Sequence, residues 1–213
     1  MVQNLSDIHG TGNGTRWHSM NRGMNRTTRL RILQLNLKKS LSAHLKLIND
    51  LLAARWDVIL IQELYITYFS SVRTLNHFTA MTPTSWLMLE GPVWSTIWVN
   101  SLLSTNSWKI LDVHNMNNII AIELNGKYGN LKVFSIYNAC NNSNTLIMLR
   151  EYMHNTQIRV QGHQECHILW GGDFNWHHPM WDRDEDMQLF TNKALEDAED
   201  LITLIMEQDM VME

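Results

Sequence analysis

Apolar and polar positions alternate over residues 31–37 (RILQLNL), where Leu33, Leu35 and Leu37 are separated by Gln34 and Asn36. A period of two predicts a strand with one face buried. Over 41–54 the period changes: Leu41, Leu45, Ile48 and Leu52 fall on one helical face, and Ser40 can cap the N-terminus. Residues 57–62 (DVILIQ) form a short apolar run that suits a buried strand, and Glu63 follows at once. Strands are expected over 93–99, 108–113, 119–124 and 131–137, with Asn125-Gly126 and Gly129-Asn130 marking the turn between the last two. Residues 146–153 read as a helix. Residues 167–170 read as a short strand running into Gly171-Gly172. Residues 192–207 read as a last helix, with Leu195, Ala198, Ile202 and Ile205 on its apolar face. Residues 1–29 show no sustained period and read as a disordered polar and basic leader, so the ordered domain is expected over 30–213. The order β-α-β, several strands, then α-β-α predicts an α/β sandwich with helices outside packed sheets.

Composition adds exclusions. At 45% hydrophobic and 18% charged residues the chain is of ordinary globular type. No apolar run approaches the ~18–20 residues of a membrane span. The N-terminal stretch lacks the apolar segment of a secretory signal, and two cysteines, Cys140 and Cys166, make no disulfide framework. An intracellular, reducing setting is therefore expected. The net charge of −4 speaks against a general nucleic-acid binder until it is resolved along the chain. Residues 1–31 hold five arginines and one acid, 32–181 ten basic and nine acidic groups, and 182–213 two basic and eleven acidic groups. The deficit sits in the terminal segment, and the body is near neutral.

Candidate chemistry lies at strand ends. Asn36 follows ILQL, Glu63 follows ILIQ, Tyr137-Asn138 follows VFSI, and Asp173 and Asn175 follow ILWGG. These are polar residues where a packed core would not choose them, and strand ends converging on one sheet edge are where layered α/β proteins build sites. Asp173 and Asn175, two apart, project from the same side of extended chain. Gly171-Gly172 would leave room for a ligand to approach the backbone. Glu63 is a hard oxygen donor suited to Mg²⁺. Asp173 could orient or deprotonate a water, while Asn175 and Tyr137 could donate to phosphoryl oxygens. Together these parts describe metal-assisted attack of water on a phosphoester.

The segments LQLNLKKS, ILIQE, FSIYNACNN and WGGDFNWHHPMWD resemble the endonuclease/exonuclease/phosphatase superfamily, and more narrowly the endonuclease domain of fungal-like non-LTR retrotransposons. The resemblance covers roughly residues 30–213 and implies a four-layered α/β sandwich. It implies metal binding by Glu63 with Asn36 beside it, phosphate contact by Tyr137, and handling of the nucleophile and transition state by Asp173 and Asn175. His177 and His178 with Trp181 belong to a run, HHPMWD, that resembles the HHPLWD of retroelement members, and they are substrate-surface candidates. The family asparagine after the tyrosine corresponds to Asn138 or Asn141. The implied cofactor is Mg²⁺ or Mn²⁺ and the implied partner is DNA. A fused reverse transcriptase is normal for the family, with no membrane and no small-molecule cofactor, and an active enzyme would work in the nucleus.

The chain also departs from the pattern. Lys38 stands where repair nucleases carry a second acid, as in many retroelement members. No Ser-Asp-His segment follows Asp182, so the last family strands are expected to be missing. Two alternatives follow: a truncated, inactive remnant with weak DNA binding, or a phosphatase or phosphodiesterase of the same superfamily. His163, Cys166, His167, His177 and His178 do not have the spacing of a zinc site. Lys38 and Lys39 could touch phosphate or lie in a solvated loop. Among the tryptophans, Trp86, Trp94, Trp98 and Trp108 are expected in the core, and Trp176 and Trp181 are the candidates for DNA contact.

Overall fold

The computed structural model describes residues 29–66, 72–83, 92–113, 117–126, 129–139, 143–157 and 166–212. The leader before residue 29, His163 and Asn141 lie outside the described residues. The described residues fall into two compact units, one within Met1–Tyr137 and Gly162–Asp173, the other within Asn138–Gln161 and Phe174–Glu213.

The first unit holds two four-stranded sheets. One has the order β1 (Ile32–Asn36), β2 (Val58–Gln62), β4 (Ser95–Asn100), β3 (Phe78–Met81). The other has β5 (Trp108–Leu111), β6 (Ile119–Gly126), β7 (Gly129–Tyr137) and β8 (Cys166–Asp173) in that order. Each contains one parallel pair, β1 with β2 and β7 with β8, and all other pairings are antiparallel. The sheets face each other through Ile32, Val58, Leu60, Ile97 and Val99 on one side and Ile120, Ile122, Leu131 and Val133 on the other. The opposite face of the first sheet, with Leu33, Ile59, Ile61 and Trp98, takes Leu47 of helix α1 (Leu41–Asn49). Burial of β2 on both faces explains its unbroken apolar run. Asp57 fixes the start of β1 against β2 by accepting from Arg31 N (2.9 Å), Nε (3.2 Å) and Nη2 (3.2 Å).

The second unit contains helices α2 (Asn144–Gln157) and α3 (Asn192–Glu207). They are tied by Arg150 Nε to Glu207 Oε2 at 3.2 Å. Thr191 Oγ1 caps α3 by accepting from Ala194 N. Among the described residues no helix is long and apolar enough to cross a membrane.

Several elements differ from the sequence-based expectation, each for a local reason. Helix α1 stops at Asn49 rather than 54, because Asp50 turns extended and its Oδ1 accepts from Leu52 N at 2.8 Å. Leu52, expected on the helix face, is exposed. Strand β3 has no counterpart in the expectation; it is a four-residue edge strand, too short for a clear period. Strand β8 continues through both glycines to Asp173. A side chain at Gly171 would run into Leu60, and one at Gly172 into the backbone of Ile136 on β7. The space at these glycines is thus taken by the protein's own sheets and not by a ligand, which corrects the reading of Gly171-Gly172 as room for substrate.

Candidate active site

Both parallel pairs end at matching positions. Asn36 is in register with Gln62, so Glu63 lies one step beyond the last pair of β1 and β2. Tyr137 is in register with Asp173 on β7 and β8. The structure brings three of the expected residues into direct contact. Asn36 Nδ2 donates to Glu63 Oε1 at 3.0 Å and also to Asp173 Oδ2. One amide thus spends its two hydrogens on two carboxylates from different sheets. Its own oxygen accepts from Lys38 N at 2.7 Å.

The backbone here is unusual. Lys38, Lys39 and Glu63 have φ of 50°, 51° and 50°, a left-handed region that costs a non-glycine residue of the order of 1–2 kcal/mol. Strain of this sort persists where neighbours over-determine it. They do so here: Glu63 N donates to Trp94 O (2.8 Å), Lys39 N to Glu63 O (2.8 Å) and Leu37 N to Gln62 O (3.0 Å).

Below the cluster, the inner sheet faces turn from apolar to polar. Gln34 Nε2 donates to Gln62 Oε1 (2.6 Å), Gln62 Nε2 to Ser135 Oγ (2.9 Å), and Ser95 Oγ to Ser135 Oγ (2.7 Å). Gln62, Ser95 and Ser135 are fully buried, so this layer joins β1, β2, β4 and β7 by satisfied bonds. It is a platform for the site that sequence reading missed. Its signal is a polar residue in the inward register of otherwise apolar strands, as at Gln34, Gln62 and Ser135.

Tyr137 is largely buried and stacks on Trp94, with ring centroids 4.8 Å apart and planes 6° from parallel. The same indole carries the Lys39 ammonium 3.4 Å from its centroid. Trp94 therefore belongs to the site and not, as expected, to a core strand: it precedes β4 and is half-buried. Its position was readable from the pairing of Gln62 with Ser95, which sets Trp94 opposite Glu63.

The other expected residues lie in the second unit. Asn138 is fully buried; its Nδ2 donates to Phe174 O (2.9 Å), and its carbonyl accepts from Asn175 Nδ2 (2.7 Å). This reciprocal clip holds Asn175, whose φ is 55°. Asp182 organises the HHPMWD turn by accepting from His178 N (2.8 Å) and pairing with His177 Nδ1 (3.2 Å). The Trp181 indole donates to Trp176 O (2.9 Å), and its ring lies 5.1 Å from that of His178. Trp176, expected as a DNA contact, is 7% exposed, which leaves no open ring face for a base to stack on.

Glu63 and Asp173 form a donor set that fits one hard divalent cation. Mg²⁺ is ordinarily held by one or two carboxylates, with waters and phosphate oxygens completing the shell. Among the described residues no group of three or more His, Cys, Asp or Glu forms a fuller cage. A cleft of about 160 Å³ is lined by Leu41, His44, Leu45, Ile48, Tyr65 and Arg73, none of them part of this cluster.

Two solved structures share the fold. The endonuclease domain of TRAS1, a telomere-specific non-LTR retrotransposon, superposes with a TM-score of 0.57 at 18% identity, over 83% of this chain and 71% of that one. The AP endonuclease LMAP from Leishmania major superposes with a TM-score of 0.60 at 12% identity, over 82% of this chain and 65% of that one. The chain has the fold of these two endonucleases. It spans about two thirds of the length of the Leishmania enzyme. No protein-family model and no curated protein sequence matches the chain. The agreement is therefore one of fold.

Proposed function

We propose that this chain is a DNA endonuclease domain of the retrotransposon type, which nicks one strand by metal-assisted hydrolysis and leaves a 3′-hydroxyl. The observation that carries the reading is the Asn36 amide bridging the Glu63 and Asp173 carboxylates at the common end of two parallel strand pairs. Glu63 and Asp173, positioned by Asn36, would hold Mg²⁺ or Mn²⁺, which when bound would supply positive charge against the phosphate. Asp173 would orient the attacking water and take its proton. Tyr137 would donate to a phosphoryl oxygen as charge builds on it, the role that the sequence resemblance also implies for Asn175. The water oxygen would bond to phosphorus as the P–O3′ bond breaks, its proton would go to Asp173, and O3′ would leave as the alkoxide and take a proton from solvent water. The resulting 3′-hydroxyl would prime reverse transcription by a fused polymerase, in the nucleus.

DNA as substrate is supported by the fold shared with these endonucleases, and the near-neutral body does not oppose it. The test is incubation of supercoiled plasmid with the chain and Mg²⁺, followed by extension of the nicks with a DNA polymerase. Relaxed circles that the polymerase extends without prior end repair support the reading. Turnover of inositol or lipid phosphates with the plasmid left intact would replace it with the phosphatase alternative.

A further inference from the structure

Lys39 has an unusual seat. Its side chain is exposed, yet its ammonium lies 3.4 Å from the Trp94 ring centroid, and its backbone N–H is bonded to Glu63 O at 2.8 Å. Trp94 in turn stacks on Tyr137 and accepts from Glu63 N through its carbonyl. The lysine is thus tied to the metal-binding strand end twice, once by its own backbone and once through the indole. Among the described residues no carboxylate pairs with Lys39; its partner is a π face. A π face orients an ammonium without neutralising it. An ion pair would have consumed the charge.

A site that gathers two carboxylates repels a phosphodiester until positive charge is placed beside it. We propose that Lys39, seated on Trp94, is a substrate-binding residue that contacts a backbone phosphate of the substrate strand next to the Glu63–Asp173 pair. The inference rests on the nuclease reading above. Trp94 is the platform: it fixes where the charge stands, and its stack on Tyr137 ties that charge to the phosphate-contacting tyrosine. Lys38, one residue earlier, differs in that its backbone N–H serves Asn36 Oδ1.

The test measures binding of a short fluorescein-labelled DNA duplex by anisotropy over a salt series, with Ca²⁺ in place of Mg²⁺ and the duplex verified intact on a gel. Lys39→Met keeps the apolar stem over the indole and removes the charge. Loss of one phosphate contact lowers the slope of log K against log salt by about 0.9 and weakens binding about tenfold at low salt. Lys39→Arg restores the slope. Trp94→Leu, which keeps the charge and removes its seat, also weakens binding, whereas Trp94→Phe retains it. Should Trp94→Leu fail to fold, the Lys39 variants decide alone, because that side chain is exposed. A Lys39→Met chain with wild-type slope and affinity overturns the assignment. Plasmid nicking by the same preparations separates the two ideas. Nicking with an unchanged slope sinks the Lys39 contact only. A changed slope without nicking sinks only the nuclease reading, and a wild-type chain that binds no duplex sinks both.

Discussion

Replacing Asn36 probes the bridge between the two carboxylates. In Asn36→Ala the Glu63 and Asp173 oxygens each lose an N–H donor. A hydrogen bond to a charged group contributes roughly 1.5–3 kcal/mol. Asn36 is only half-buried, so water replaces part of what is lost, and the expected cost is about 2–4 kcal/mol in EDTA. Asn36→Asp has nearly the same shape but turns both attractions into repulsions. At the effective dielectric near a protein surface such contacts cost roughly 1–4 kcal/mol each, so this variant falls below Asn36→Ala by a further few kcal/mol. Against a total stability of order 5–15 kcal/mol, it is close to unfolding without metal. A divalent cation that binds only the folded state adds RT ln(1 + [L]/Kd), so Mg²⁺ stabilises Asn36→Asp more than wild type. Urea unfolding followed by far-UV circular dichroism, with and without Mg²⁺, measures all of this, provided m is unchanged. If Asn36→Ala unfolds at the wild-type midpoint, or if Asn36→Asp is no weaker than Asn36→Ala in EDTA, the bridge has been misassigned.

Other expectations follow from the packing. Gly172→Ala places a methyl against the Ile136 backbone, which cannot rotate away, and costs about 3 kcal/mol or more by thermal or urea unfolding. Gly171→Ala meets only the Leu60 side chain, so Leu60→Val in the same chain recovers part of its loss; strict additivity in the double-mutant cycle would contradict that contact. Ser135→Ala leaves the buried Gln62 amide without its acceptor and costs roughly 1–3 kcal/mol in the same measurement. His44 sets both ring nitrogens against backbone carbonyls, of Tyr65 at 3.1 Å and Arg73 at 2.8 Å. His44→Leu removes the ring N–H donor from these carbonyls and should lower stability by roughly 1–3 kcal/mol in the same measurement.

The four strand endings are legible in the sequence because alternation locates each strand and a polar residue after an apolar run stands out. Parallel pairing then sets Asn36 beside Glu63 and Tyr137 beside Asp173, and the facing of the two sheets brings Asn36 to Asp173. What escapes such reading depends on register. Trp94 looks like a core residue until the pairing of Gln62 with Ser95 sets it opposite Glu63. Gln34, Gln62, Ser95 and Ser135 are unremarkable singly, and only the facing of the two sheets makes them a layer. The glycines before Asp173 suggest ligand access until the neighbouring strands are seen to fill the space. The end of α1 is hidden because apolar spacing continues to Leu52, while the turn chemistry of Asp50 decides where the helix stops.

The proposed chemistry is hydrolysis of a DNA phosphodiester by the carboxylate pair held by Asn36. Its most direct test is the initial rate of supercoiled plasmid nicking in Mg²⁺ by the wild-type chain and by Asp173→Ala, purified identically and shown to be folded. Loss of a group that orients and deprotonates the water should slow nicking by about 10²–10⁴-fold, with no nicking by either protein in EDTA. Equal rates for the two chains, or nicking that persists in EDTA, would contradict the account.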